Sequence, residues 1–235
     1  MEQLLVVQGH DAAIDRLRHQ RSTLPEHQAL ADCDDEQAHL EAAKAAVVET
    51  RHGLEREQKR LEDDVALIEA RHQSESDRLY SGTVTAHKDL QAIQAELAVL
   101  ADRQSAVETS VLEVLEQIDP LDQDIAAHDT NLESVETRRS QLKAVLAEAE
   151  GAIDAEIAEQ QQARGEAAEG IDAGLLEQYE SLRASSGGVG AARLNGKTCE
   201  GCHLQLSAVA YDKVRKEPSD AVINCPECRR ILVRS

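Results

Sequence analysis

Residues 90–121 read LQAIQAELAVLADRQSAVETSVLEVLEQIDPL, and their apolar side chains recur at alternating steps of three and four positions. Two interleaved seven-residue series start here and continue downstream. The first series contains Leu90, Leu97, Gln104, Val111, Ile118, Ile125, Leu132, Arg139, Leu146 and Ile153. The second contains Ile93, Leu100, Val107, Val114, Leu121, His128, Val135, Leu142 and Ala149. Such spacing over about nine heptads is typical of a coiled coil, so it predicts a long helix that packs against another helix.

A looser repeat of the same period precedes this segment. Its members are Cys33, Leu40, Val47, Leu54, Leu61 and Ile68. The only turn-like segment between the two repeats lies near residues 80–86, so we expect the chain to fold back there. Residues 1–183 are therefore predicted to form a long antiparallel coiled-coil hairpin. A coil between two copies is the alternative, and the oligomeric state stays open. Cys33 occupies an apolar heptad position, which favours a packing role over a reactive one.

Two local signals modify the helical pattern. Thr23-Leu24-Pro25-Glu26 fits a capping box, with Thr23 as the N-cap and Glu26 bonding back to it, so a helix break is predicted there. Asp119-Pro120 lies inside the second repeat, but the heptad register continues through it. We therefore expect a kink with Asp119 as a local N-cap, and no domain boundary.

Composition and charge exclude several classes of protein. The 235 residues include no Trp, no Phe and three Tyr, and aromatic residues usually dominate cores and pockets, so a large enzyme with a buried pocket is disfavoured. No run of about 18 apolar residues or basic leader is present, so we expect a cytoplasmic protein without a membrane helix or signal peptide. Residues 1–180 carry 16 basic and 40 acidic side chains, whereas residues 181–235 carry nine basic and five acidic ones. The chain is therefore an acidic body joined to a short basic C-terminal segment.

The basic C-terminal segment contains two Cys-x-x-Cys pairs. They are Cys199-Glu-Gly-Cys202 and Cys225-Pro-Glu-Cys228, separated by 22 residues. Four thiolates complete a tetrahedral shell, so this pattern predicts one structural Zn²⁺ with no open position for catalysis. The apolar runs at 222–223 and 231–233 predict short strands, and residues 184–235 are therefore interpreted as a zinc ribbon.

Other cysteine chemistries fit this segment less well. Cys199-x-x-Cys202-His203 is also a haem-attachment pattern, but that use requires export and leaves Cys225 and Cys228 unexplained. A thioredoxin-like redox pair requires a βαβ context that the sequence lacks, and disulfides are disfavoured in a cytoplasmic protein. His203 is then expected to be a surface residue and not a metal ligand.

The sequence resembles, over nearly its whole length, the bacterial coiled-coil proteins with a C-terminal C4-type zinc ribbon. The matching parts are the opening helix at 4–17 with Asp11 and Ile14, the hairpin tip near Gly82 followed by His87-Lys88-Asp89-Leu90, the run 179–183, and the two cysteine pairs with the following Arg-Arg-Ile-Leu. Arg229 is a departure, because the family often has Gly after the last cysteine. The resemblance implies a helical hairpin that bears a zinc ribbon, and a role in transcription or RNA handling.

Three hypotheses for function follow. In the first, the protein is an adaptor whose acidic hairpin and ribbon bind protein partners. In the second, the ribbon binds nucleic acid through its basic residues. The candidate contacts for either ligand are Arg193, Lys197, Lys213, Arg215, Lys216, Arg229, Arg230 and Arg234. In the third, carboxylate clusters such as Asp34-Asp35-Glu36 and Asp63-Asp64 perform catalysis, but adjacent residues on a helix point in different directions. We therefore expect a non-enzymatic binding protein.

Overall fold

A computed structural model of the chain describes residues 1–218 and 221–234. The helices are α1 (Glu2–Ser22), α2 (Pro25–Tyr80), α3 (His87–Ala168), α4 (Ala173–Ser185) and α5 (Ala208–Lys216). The strands are β1 (Ala191–Asn195), β2 (Thr198–Cys199), β3 (Ile223–Asn224) and β4 (Ile231–Arg234). The predicted class, a long helical hairpin followed by a small cysteine-containing module, is confirmed. None of the helices in the described ranges has the length and apolar content to cross a bilayer.

The chain forms two compact units. One contains residues Leu30–Gln141, and the other contains Met1–Ala29 together with Leu142–Ser235. In the first unit, ion pairs join α2 to α3 in antiparallel order. They are Asp34 with Arg139, Lys44 with Asp129, Arg51 with Asp122, and Arg71 with Glu96. As the residue number rises on α2 it falls on α3, so the two helices belong to one hairpin with its tip at 81–86.

The heptad pattern predicts the buried face of α3. Every member of its two series is buried or half-buried, including the polar residues Gln104, His128 and Arg139. In the unit Leu30–Gln141, Leu61 packs with Val114 and Ile118. The side chain of Gln104 reaches out to the carboxylates of Glu69 and Glu108, which explains how an amide occupies an apolar position.

Two predicted helix caps are wrong. The break after α1 is present, but the Thr23 hydroxyl donates to the carbonyl of His19 at 2.9 Å and so closes α1. Pro25 takes the first position of α2, where its missing N–H is not needed. Asp119 is not an N-cap either, since α3 continues through Pro120 without interruption. The predicted continuity of the register through Pro120 is confirmed.

The ribbon contains a four-stranded sheet in the order β2-β1-β4-β3. Strands β1 and β4 are parallel, with Ala191 opposite Ile231, and the two outer pairs are antiparallel. The runs predicted as strands overlap β3 and coincide with the first three residues of β4, whereas β1 is a strand that the sequence analysis missed.

The central strands contribute to two hydrophobic clusters, because adjacent residues of a strand point to opposite faces. Ala191 and Ile231 pack with Leu4 and Val7 of α1 and with Tyr179 of α4. Their neighbours pack inside the ribbon with its buried cysteines; this second cluster contains Ala192, Leu194, Cys199, Leu206, Val214, Cys225 and Leu232. The ribbon sheet thus shares a core with α1 and α4. The boundary between residues 183 and 184 stays a prediction.

Candidate metal centre

The four cysteine side chains of the ribbon converge on one point. Their Sγ atoms all lie within 4.8 Å of one another. The Sγ atoms of Cys199 and Cys228 are 3.9 Å apart, and so are those of Cys202 and Cys225. A tetrahedron with Zn–S bonds of about 2.3 Å has S···S edges of about 3.8 Å, whereas a disulfide bond measures about 2.05 Å. The donor set therefore fits one zinc ion.

Two similar turns present the thiols. In the first turn, the N–H of His203 donates to the carbonyl of Cys199 at 2.7 Å; in the second, the N–H of Arg229 donates to Cys225 at 2.8 Å. His203 and Arg229 both lie in the left-handed region, with φ of 61° and 64°. This region favours glycine, and Arg229 adopts it at the position where the family often has Gly. Both ligand turns therefore adopt the left-handed conformation at a residue that is not glycine.

Burial and hydrogen bonds act in opposite directions on the pKa values of the thiols. It raises the pKa of Cys199 to about 12, although the N–H groups of Cys202 and Gly201 act in the opposite direction. Burial also raises the pKa of Cys225. At Cys228, burial alone would raise the pKa, but the N–H of Arg230 and the neighbouring thiols lower it to about 7. Metal binding must displace the protons from the two buried thiols, so it becomes tighter as the pH rises.

The site has the character of a structural metal centre. Cys199 and Cys225 are buried, whereas Cys202 and Cys228 are half-buried. Four protein ligands leave no coordination position for a substrate or a water molecule. His203 is exposed and is not part of the ligand cluster, as expected. The centre can therefore hold the ribbon together, because a module with so small a core depends on its metal to fold.

Three of the eight candidate contact residues have side chains that form hydrogen bonds or ion pairs within the protein. Arg230 donates to three backbone carbonyls, those of Ser186 at 2.8 Å, Gly201 at 2.9 Å and Val189 at 3.0 Å. Arg234 donates to the carbonyls of Val214, Glu217 and Pro218. Arg193 forms a bidentate pair with Glu2 of α1. These partners lie far away in sequence, so sequence reasoning could not identify them.

The remaining candidate residues are available to a ligand. Lys213, Arg215 and Lys216 are exposed on α5, and Arg229 is exposed beside the metal centre. The Nζ atom of Lys197 lies 5.6 Å from the centroid of the Tyr211 ring. None of these five forms an ion pair with the residues that the structure describes. They are the cations of the ribbon that a ligand could contact.

Sequence reasoning missed a polar cluster on α1. The Gln8 side chain accepts from the N–H of Gly190 at 2.7 Å and donates to the carbonyl of Gly188 at 3.0 Å. Asp11, only 3 % exposed, accepts from the Tyr179 hydroxyl at 2.6 Å and from Arg164 Nε at 2.8 Å. Both residues lie at helical spacing from buried Leu4, Val7 and Ile14. That spacing is the signal that could have identified them as buried polar groups.

The fold and the site together define a coiled-coil hairpin protein with a four-cysteine zinc ribbon. The sequence model of the CT398-like coiled-coil hairpin domain matches residues 7–187, and that of the C4-type zinc ribbon domain matches residues 198–232. The chain belongs to the CT398-like coiled-coil hairpin family. This confirms the resemblance seen in the sequence.

Curated relatives cover almost the full chain. They are the uncharacterized proteins MT2288 and Rv2229c from two strains of Mycobacterium tuberculosis, both 31% identical over 237 residues, covering 98% of this chain and 94% of the relative. A solved structure from Mycobacterium smegmatis has a TM-score of 0.87 and 24% identity, covering all of this chain and 97% of that one. CT398 from Chlamydia trachomatis has a TM-score of 0.55 and 21% identity, with the same coverage. The two solved structures support the fold, and the domain composition supports a structural or binding role.

Proposed function

We propose that this protein is a non-enzymatic adaptor that binds protein partners through its acidic hairpin and its zinc-stabilised ribbon. The observation that carries the proposal is the closed four-cysteine site, which can stabilise a binding module but offers no position for catalysis. The resemblance to the coiled-coil zinc-ribbon proteins suggests partners from the transcription or RNA-handling machinery.

The acidic clusters that could have performed catalysis have other contacts. On α2, Asp34 pairs with Arg139 and Glu36 pairs with Arg138, so both carboxylates join the two helices of the hairpin. Asp63 pairs with Lys59 one turn earlier on the same helix. These contacts support an interaction protein over an enzyme, because a general acid or base needs a cleft and a convergent partner.

The charge of the hairpin points to the chemistry of its partner. Residues 1–180 carry 40 acidic and 16 basic side chains. Such a surface repels nucleic acid and attracts basic protein surfaces, and the attraction weakens with salt. Protein is therefore the ligand we propose for the hairpin.

Nucleic acid is the second candidate ligand, for the ribbon alone. Lys213, Arg215, Lys216 and Arg229 are exposed and unpaired within the described residues, and Lys and Arg contacts to phosphate supply most non-specific affinity. Tyr211 is the single aromatic residue of the ribbon, so base stacking contributes little. This candidate predicts affinity that falls steeply with salt.

A pull-down from native extract tests both candidates. Tagged wild-type protein is compared with and without nuclease, beside Cys225→Ser, which breaks the metal centre. For an adaptor acting through its ribbon, we expect partners that resist nuclease and disappear with Cys225→Ser. Loss of all partners on nuclease treatment would contradict the adaptor and leave nucleic acid as the ligand.

Charge reversal at three ribbon residues separates the two surfaces. Replacing Lys213, Arg215 and Lys216 with Glu is expected to abolish any nuclease-sensitive binding. The matched control reverses Lys88, Arg103 and Lys143, three exposed basic residues of the hairpin that form no ion pair with the described residues. Equal losses in both variants would show that net charge, and not the ribbon surface, governs binding.

A further inference from the structure

The coiled-coil hairpin has an apolar groove on one side. Between α2 and α3, a groove of about 320 Å³ is lined by Glu62, Val65, Glu108, Val111 and Leu112, and we name it the Leu112 groove. Leu112 is 60% exposed, although it lies directly beside the buried seam of the coiled coil. Leu115 follows it by three residues on the same face of α3 and is 37% exposed. The groove therefore extends the apolar core of the hairpin to its surface.

The polar edges of the groove are acidic. The carboxylate of Glu62 accepts from Gln58, and that of Glu108 accepts from Gln104, each one turn earlier on its own helix. Neither carboxylate lies within ion-pair distance of a cation in the part of the chain that the structure describes. Lys59, one turn before Glu62, forms its ion pair with Asp63 and interacts with Glu62 only at longer range. An apolar centre with two carboxylates at its rim that form no ion pair is complementary to an apolar stripe flanked by Lys or Arg.

The shape of the groove favours a helix as the occupant. Two antiparallel helices form its walls, and a third helix can pack its side-chain ridges along such a groove. Helix-in-groove recognition uses apolar residues spaced by three and four positions. Another hairpin of the same chain fits poorly, because it would bring carboxylates against Glu62 and Glu108.

We propose that the Leu112 groove binds an amphipathic helix of a partner protein, with basic residues on both sides of its apolar stripe. This inference rests on the proposed adaptor function and assigns a location and a ligand class to its acidic hairpin. The partner's apolar side chains cover Leu112 and Leu115, and its basic side chains pair with Glu62 and Glu108.

A binding assay on the full zinc-loaded chain tests the surface. The probe is a fluorescein-labelled 21-residue synthetic peptide with leucines at helical spacing and flanking lysines; its control has the same composition with the leucines dispersed. We expect the amphipathic peptide to bind, and Leu112→Ser to weaken its binding by roughly tenfold or more, since a leucine loses its covered area. The double variant Glu62→Gln with Glu108→Gln should reduce both affinity and salt dependence.

Leu67→Ser is the matched control, because Leu67 is an apolar residue of α2 that is 69% exposed outside the groove. It should leave peptide binding unchanged. Equal weakening by Leu67→Ser and Leu112→Ser, or equal binding of the two peptides, would overturn the proposal in favour of non-specific attraction. Circular dichroism verifies that both variants keep their helix content.

A photo-crosslinking residue at position 112, introduced in cells, identifies the occupant. A crosslinked segment with an apolar helical stripe and basic flanks supports the proposal. A crosslink to a second copy of this chain, to nucleic acid, or to nothing overturns it. If the groove proposal alone is wrong, nuclease-resistant partners are still captured and persist with Leu112→Ser. If the adaptor function itself fails, no such partners are captured.

Discussion

Gly190 and Gly201 are required by close approach and not by backbone conformation. A Cβ atom at Gly190 would lie 2.6 Å from the carbonyl oxygen of Tyr179, and one at Gly201 would lie 2.8 Å from Cβ of Ala192. Neither residue has the positive φ that Gly187 and Gly188 adopt. The first ligand turn therefore packs directly on β1 at Ala192.

Gly190→Ala should therefore destabilise the protein. Because the added methyl group meets backbone as well as the ring of Tyr179, we expect a loss of about 1–3 kcal/mol. Gly9→Ala is the matched control, since nothing lies within 4 Å of its added Cβ and alanine is the better helix former, so a gain of about 0.5–1 kcal/mol is expected. Differential scanning calorimetry measures both. A neutral Gly190→Ala would mean that β1 can move away from α4 at little cost.

At the scale of elements, helix α1 is attached to α4 and the ribbon through polar contacts as well as apolar ones. Tyr179 is fully buried and donates to Asp11, while Gln8 bonds to the backbone at the start of β1. Buried polar groups that keep all their partners specify one arrangement, because any shift leaves a group unsatisfied. These contacts select the position of α1 against the sheet within their unit.

The buried tyrosine makes stability depend on alkaline pH. Burial, and then the hydrogen bond to Asp11, raise the pKa of Tyr179 well above its usual value of about 10. Above pH 10 the unfolded chain loses this proton while the folded chain keeps it. The stability from this group is thus complete below pH 10 and falls above it, by up to about 1.4 kcal/mol per pH unit.

Chemical denaturation across pH 8–11 measures this effect in wild-type protein and in Tyr179→Phe. The variant should lose about 1 kcal/mol at pH 8, where it lacks the hydrogen bond, and show a shallower decline above pH 10. Tyr80→Phe, at a position that is 82% exposed, should behave like wild type. The same alkaline decline in wild type and Tyr179→Phe would assign the effect to other groups.

At the scale of the whole molecule, each compact unit has a core of its own. The unit Leu30–Gln141 is held by the coiled-coil seam. The other unit combines the metal centre with α1, because Arg230 spans from the carbonyl of Gly201 to that of Ser186, and the N–H of Ile231 donates to Gly190 at 2.9 Å. Residues beside the metal ligands are thus hydrogen-bonded to residues 186–190, the same segment that accepts a hydrogen bond from Gln8 of α1 and donates one to it.

Removal of zinc should affect one unit more than the other. With a chelator or Cys225→Ser, we expect hydrogen-exchange protection to be lost in β1 and β4 and reduced at residues 4–11. Residues 30–141 should remain protected, since their core contains no metal ligand. Cys33→Ser, a cysteine outside the metal centre, is the control and should leave β1 and β4 protected. Simultaneous loss of protection in both units would contradict the division and indicate a single cooperative structure.

The sequence by itself determined the long helices with their heptad faces and the metal ligands. Helical period and thiolate spacing are local properties, so Leu90 to Ile153 predicted the buried face of α3, and the four cysteines predicted their own cluster. Only the tertiary structure decided which polar residues are buried and which cations are free. The Gln8 side chain accepts a hydrogen bond from Gly190, which lies 182 positions away in the sequence. Arg230 donates to backbone carbonyls that no sequence motif identifies. The physical reason is that a polar side chain is governed by the groups that folding places beside it, and these are remote in sequence.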